Sequence, residues 1–536
     1  MAYRTGNRYQ IMMFPPTIED FVAEDHPVRV YDAFVEGLDF DKLDFKMNGF
    51  DKVGNPEYDP KSLLKVILFG YSYGERSSRR LERAINDNVI FIWLSGGLKP
   101  DHTTIARFRQ RNKKLLKKIF KQCAQLCIKL NLIEGNTLFV DGSKIRANAG
   151  IKNTVSKAYL KEQESELEKR INSILKECEK ADAKEGGMGS FVKLREELNS
   201  IQKIKVSVKK ALAEIEQEEA ELGSDVETIN LTDPNCKKMK GRQGTHSAYN
   251  AQIVVDEKYG LIVNNDVVND CNDVNQFSEQ INAANEVLEN KCQNACGDAG
   301  YSNVSDLKNI VEQGINVVVP NQKQAAHEQK EKTGFEKENF QFIKSENCYL
   351  CPAGNKLKSN GYNKEKGHFR YRVTNPKTCL NCQYFGVCTT NKKGRSISRL
   401  KEEDLHEKLA AVYMSPNGQQ IYKKRKEKIE LVFGHIKHNL KTTSFLLRGF
   451  DGVKAEMAVL STVFNIRRMI TLLGIPKLVE IMTLMSDPAL LFEQGCNFIG
   501  CYTKLLPKYL DKLLSGYRIK SGMTSWLISV GCVVRN

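Results

Sequence analysis

The chain has no run of about 18 uninterrupted apolar residues, the least a membrane-crossing helix needs. Its most apolar stretch, Met457 to Phe492, is broken by Arg467, Arg468, Lys477, Glu480 and Asp487, so it reads as packed helix and no membrane partner is expected. The opening Met1 to Phe14 lacks the apolar centre of a secretory leader, and Pro15-Pro16 follows at once, which points to an unexported protein. Also missing are the patterns G-x-x-x-x-G-K-[ST], G-x-G-x-x-G and H-E-x-x-H, which removes sequence support for ATP-loop, dinucleotide and zincin chemistry. An acidic excess is absent too. The 536 residues hold 81 Lys plus Arg against 65 Asp plus Glu, a formal charge of +16, and that balance favours a polyanionic partner.

The fold class expected is α/β: a mixed-sheet core with a helical N-terminal domain, an inserted helical hairpin and a small cysteine-bearing insertion. Residues 1–134 are periodic in the helical sense. Asp59-Pro60 opens one helix, Ser77 or Ser78 a second, and Asp101 or Thr103 a third whose first turns carry Arg107, Arg109, Arg111, Lys113 and Lys114. Two helices, a loop and a basic helix suit a duplex-binding module, although charge alone equally describes a solvated face.

From 135 to 325 the texture changes. TLFVDGSKIRANAG is a short strand ending at Asp141 and then a turn. Ala248 to Asn269 is two strands about the Glu257 to Gly260 turn. A helix (Asn275 to Asn290), a strand (Asn294 to Gly300), a helix (Val304 to Gln313) and a buried strand (Ile315 to Pro320) follow. The tract 155–222 interrupts this core with apolar steps of three, four and seven on either side of Gly186-Gly187-Met188-Gly189, the pattern of an antiparallel helical hairpin.

Residues 326–400 contain Cys348-x-x-Cys351 and Cys379-x-x-Cys382, with 27 residues between the pairs and Cys388 beyond. Each C-x-x-C turn offers two thiolates to one tetrahedral ion, and an all-thiolate site leaves no open position for catalysis. A structural Zn²⁺ on four of these five cysteines is therefore expected, holding a segment too short for its own core. In 401–475 a long basic helix, QQIYKKRKEKIELVFGHIKHNLK, buries Ile421, Ile429, Val432, Phe433 and Ile436. Its spacing puts Lys426, Glu430 and Lys437 on an adjoining face. Residues 476–536 have no assigned role.

Several long motifs in order resemble the DDE transposases of bacterial insertion sequences. PPTIEDFVAEDHPVRVYDAFV, GYSYGERSSRRLERA and LSGGLKPDHTTIARFR are similar to that family's opening region. VDGSKIRANA resembles the segment of its first catalytic acid, GDAGYSN that of its second, and YKKRKEKIELVFGHIKHNLKTTSFLLRGF that of its third. The resemblance implies a ribonuclease-H-like core and makes Asp141, Asp298 and Glu430 the catalytic acids and the ligands of Mg²⁺ (or Mn²⁺). It also implies cleavage at element ends followed by joining of the 3′ hydroxyl to target DNA.

Arg107 and Arg109 would then contact the terminal inverted repeats, and Lys426, Lys437 and Arg448 the phosphates near the cut. The active form would be a homodimer or higher oligomer on double-stranded DNA, in the bacterial cytoplasm at the nucleoid. Tyr422 lies eight residues before Glu430, where seven is the family step, and Lys426 stands where Arg is common with Arg425 beside it. Glu427 is accordingly the alternative third acid. Two other readings compete: a related nuclease that cuts without joining, and a DNA-binding regulator without catalysis. A coiled-coil scaffold explains only 155–222.

Overall fold

The computed structural model describes residues 17–43, 57–182, 188–222, 227–241, 244–325, 334–363 and 367–486. The Gly186-Gly187 turn and the tail cysteines Cys496, Cys501 and Cys532 lie outside the described residues.

Six helices come first: α1 (Val28–Glu36), α2 (Pro60–Ser72), α3 (Ser78–Asp87), α4 (Val89–Leu94), α5 (His102–Arg111) and α6 (Lys113–Lys129). Asp59 caps α2 by accepting the N–H groups of Lys61 and Ser62, and Asp101 caps α5 by accepting that of Thr104, as their positions predict. The single basic helix expected after Asp101 is broken at Asn112. Its side chain donates to the Phe108 carbonyl at 2.9 Å, a local bond that competes with the helical ladder.

The core strand β1 (Thr137–Arg146) runs on past Asp141, where the sequence predicts a turn, because a longer strand pairs with it as far as Arg146 opposite Ala248. Next, β2 (Thr154–Ser156), α7 (Lys157–Asp182), α8 (Met188–Leu222) and β3 (Thr228–Asn230) form the expected hairpin on a two-stranded base. Ion pairs Lys157–Glu219, Lys205–Glu168 and Arg170–Glu197 set the two helices antiparallel. Leu160, Val208, Leu212 and Ile215 fill the space between them.

The chain then returns to the core through β4 (Lys237–Gly241), β5 (Gly244–Asp256), β6 (Ile262–Val268), α9 (Phe277–Leu288), β7 (Asn294–Cys296), α10 (Val304–Val311), β8 (Asn316–Val318) and the short α11 (Gln322–Ala325). The strands lie in the order β6-β5-β1-β7-β8. β5 is antiparallel to both neighbours, β7 and β8 are parallel to β1, and β4 shares the β6 edge of β5.

The cysteine segment builds a second sheet from β9 (Gln341–Ile343), β10 (Cys348–Leu350), β11 (Lys356–Asn363), β12 (His368–Val373) and β13 (Ser396–Leu400), with α12 (Pro376–Leu380) between the last two. Here the expectation of a segment without its own core is corrected. Phe340, Tyr349, Leu357, Tyr371, Val373 and Ile397 form a separate buried cluster. Cross-strand register explains it, with Tyr349 opposite Leu357, Leu357 opposite Val373 and Tyr371 opposite Ile397 on one face of the sheet.

Four helices finish the described chain: α13 (Glu403–Met414), α14 (Pro416–Gly434), α15 (Gly449–Leu473) and α16 (Ile475–Ser486). Most of α15 is buried, because it packs against α6, α2 and β6. Among the described residues no single helix is long and apolar enough to cross a membrane, and α15 and α16 meet at 115°. One hydrophobic cluster includes Leu64 of α2, Val140 of β1, Ile253 of β5 and Leu460 of α15. The N-terminal helices and the sheet thus share a core.

Candidate active site

Asp141 lies in the middle of β1, opposite Ile253 of β5. Asp298 stands just past the end of β7, where its carboxylate caps a short turn by accepting the Gly300 N–H at 2.8 Å. β7 pairs with β1 only from Thr137 to Phe139, so the stretch of β1 that holds Asp141 projects beyond its parallel neighbour. The two acids, 157 positions apart in sequence, come together at that exposed strand edge.

What joins them is Arg425. Its Nη2 donates to Asp141 Oδ1 at 2.8 Å and stands 3.6 Å from Asp298 Oδ2. The side chain is 91% buried, and its Nε has no hydrogen-bond partner among the described residues. Burial pushes the Asp141 carboxyl up to about 7; Arg425 opposes the shift, and Asp298 and Asp273 add to it. Burial acts against the charge of Arg425, yet Asp141 and Asp298 hold its guanidinium more firmly protonated than usual. In the sequence Arg425 stands out only as the neighbour of Lys426. Its spacing was the available signal, because steps of four from Ile421 and to Ile429 place it in the buried stripe of α14.

The other candidates fall into different surroundings. Glu430 is exposed on α14, five residues and so about 140° around a straight helix from Arg425. Glu427, also exposed, is about 200° around. The structure thus gathers Asp141 and Asp298 and leaves Glu430 on the outer side of the helix that carries Arg425. Lys437 does approach the site: it lies in a π-helical turn, His435–Asn439, and its Nζ donates to Ser143 Oγ of β1 at 2.5 Å. Lys426 is exposed beside the Tyr422 ring, 5.6 Å from its centroid. Arg448 is exposed and donates to the Asn148 carbonyl at 3.0 Å.

Arg107 is exposed on α5, but Arg109 is a correction. It is buried, donates to the Arg76 carbonyl at 2.7 Å and to the Tyr71 hydroxyl at 3.3 Å, and also bonds Ser78 Oγ. Those partners tie α5 to α2 and α3, and a guanidinium so enclosed is withheld from a duplex. Two steps along a helix turn the side chain about 200°, so Arg107 and Arg109 face opposite ways.

Carboxylate oxygen is the donor that Mg²⁺ prefers, and Asp141 and Asp298 already share a cation in Arg425, which fits a cation-binding pair. Among the described residues, however, no three His, Cys, Asp or Glu side chains are gathered closely enough to hold an ion. The same finding bears on the thiols. Cys351, Cys379, Cys382 and Cys388 line one cavity with Phe335, Tyr384 and Arg395, and Cys351 Sγ accepts the Asn355 N–H at 3.3 Å. Burial raises the Cys388 thiol, Arg395 opposes the rise, and Cys379, Cys351 and Cys382 add to it. Cys348 is buried and turned toward Glu346, 3.7 Å away. The donors suit zinc, but their spacing does not by itself support it.

Two family descriptions match the chain. Residues 350–470 match "Transposase DDE domain" and residues 16–111 match "Transposase domain (DUF772)". The first includes Glu430 and Arg425, and neither includes Asp141 or Asp298. No curated protein and no solved structure matches. The two matched segments together support a DDE transposase of insertion-sequence type.

Proposed function

We propose that this chain is a DNA transposase that hydrolyses phosphodiester bonds at the terminal inverted repeats of an insertion sequence and joins the 3′ hydroxyl to target DNA. The observation that carries the reading is the bridging of Asp141 and Asp298 by the buried Arg425. One acid on a strand and a second just past the end of its parallel neighbour, in a sheet ordered β6-β5-β1-β7-β8, are also what a ribonuclease-H-like core would carry. When bound at such acids, Mg²⁺ or Mn²⁺ ions make the attacking oxygen nucleophilic and neutralise the departing one.

The chain's own residues supply the rest. Asp141 and Asp298 provide fixed negative charge at the strand edge. Arg425 balances part of that charge from the buried face of α14. Lys437, Lys426 and Arg448 hold the DNA backbone around the cut, and Arg107 holds it farther off, contacts that are salt-dependent and indifferent to sequence. Glu430 is the third acid that the resemblance implies, and its side chain lies on the outer face of α14. We assign a structural zinc to Cys351, Cys379, Cys382 and Cys388 and exclude Cys348. One zinc per purified chain, lost in Cys379→Ser and kept in Cys348→Ser, is the expected result.

The test of the main reading is Mg²⁺-dependent cleavage of the DNA flanking the gene by the purified chain. Asp141→Asn, Asp298→Asn and Glu430→Gln are each expected to lose cutting by at least about 10²-fold while still binding DNA. Transfer of tagged ends to a target separates a transposase from a nuclease that only cuts. One observation, the outward position of Glu430, favours a DNA-binding regulator without catalysis, and cutting by the parent chain would exclude it.

A further inference from the structure

Asp273, in the loop between β6 and α9, belongs to none of the motifs in the sequence. Its Oδ1 accepts two side-chain amides from alternate residues of β5, Asn250 Nδ2 at 2.8 Å and Gln252 Nε2 at 2.7 Å. Gln252 is held in turn by the Tyr301 hydroxyl, which donates to its Oε1. Two amides on one carboxylate oxygen fix the orientation of the group and leave the other oxygen free to face elsewhere.

The two glycines that Asp273 touches reveal its location. A Cβ on Gly142, the residue after Asp141, would lie 2.3 Å from Asp273 Oδ1 and 2.5 Å from Gln252 Nε2. Successive residues of a strand face opposite sides of the sheet, so Asp273 meets β1 from the side away from the Asp141 side chain, in space open only because position 142 has none. A Cβ on Gly300, two residues after Asp298, would lie 2.9 Å from Asp298 Oδ1 and 3.3 Å from Asp273 Oδ2. Asp273 therefore sits against the backbone next to one acid and against the turn that the other acid caps.

We propose that Asp273 is a positioning residue of the acid pocket, a wedge between β1 and the Asp298 turn that sets the separation of the two acids and adds a third negative charge beside them. The proposal rests on the reading of Asp141 and Asp298 as a cation-binding pair. Asparagine at 273 keeps one oxygen for the two amides but carries no charge, so the field beside the pair would change. Alanine at 142 would displace the same carboxylate from the other side.

The experiment is Mn²⁺ binding by the full chain, followed by electron paramagnetic resonance of the free ion, with melting temperature measured on the same samples. Asp273→Asn and Gly142→Ala are each expected to weaken Mn²⁺ binding about tenfold, and Asp141→Asn and Asp298→Asn to weaken it more. Parent-like affinity in Asp273→Asn, with binding lost in Asp141→Asn and Asp298→Asn, overturns the wedge and leaves the proposed function standing. Parent-like affinity in those last two overturns the acid pair and the wedge with it. Where Asp273→Asn is too unstable to measure, Gly142→Ala decides by the same criterion.

Discussion

Two buried arginines occupy the same molecule and are satisfied very differently. Arg76, just after α2, donates to Glu456 Oε1 and to the Ser444 carbonyl at 2.9 Å each, and to the Lys441 carbonyl at 3.1 Å. Glu456, wholly buried on α15, has its second oxygen filled by the Leu446 and Leu447 N–H groups at 2.7 and 2.9 Å. One positive charge meets one negative charge, and the groups around them are paired. Arg425 is just as enclosed, yet it faces two acids with one short contact and one long one and leaves Nε unpartnered. A strut closes its hydrogen bonds, whereas this second pair is under-coordinated and carries a net negative charge. The difference marks where a further cation would be welcome.

The largest effect is expected at the strut. Glu456→Ala strands Arg76 in the core and should cost about 3–5 kcal/mol, read as a large fall in the denaturant midpoint. A loss below about 1 kcal/mol would mean that the N-terminal helices do not depend on this link.

The pH dependence of the acid pocket comes next. The folded carboxyl of Asp141 is raised to about 7 from an ordinary 3.8. Between those values the folded chain keeps a proton that the unfolded chain gives up, so stability is highest below about pH 4 for this group and is lost as pH rises toward 7. The slope approaches 1.4 kcal/mol per pH unit. Metal-free Asp141→Asn should flatten that slope, and an unchanged one would remove Asp141 from the explanation.

Arg425→Met sharpens the comparison further. Because its bonds are fewer and its two acids are partly solvated, its loss should cost only about 1–2 kcal/mol, while cutting of DNA is lost. A cost equal to that of Glu456→Ala would make Arg425 a second strut. The smallest effect is at Arg107. Its replacement by Ala should leave the melting temperature unchanged and lower the slope of log affinity against log salt by about 0.9. Arg109→Ala should do the reverse, lowering stability and leaving the salt slope unchanged.

Much of the local structure was legible in the residues. The cap at Asp59, the hairpin of 155–222, the two strands about the Glu257 to Gly260 turn and the buried stripe of α14 all follow from spacing and side-chain chemistry. Arg109 was not legible, because alternation along a helix separates an exposed arginine from a buried one only after the inner face is known. The core of the cysteine segment was missed because its aromatic residues meet across strands, and a register is not visible in any one strand. Asn250 and Gln252 were a readable signal: two amides at alternate positions in an otherwise apolar strand need a partner, and Asp273 supplies it.

The order of the elements, the basic balance and the motifs that contain Asp141, Asp298 and Glu430 were determined by the sequence alone, since each depends on residues close together along the chain. Which acids meet, which arginine lies between them and which side Glu430 takes were decided by tertiary structure. Those contacts join β1, β7 and α14 across 157 and more positions, and only the packing of the sheet against the late helices sets the distances on which the charges act.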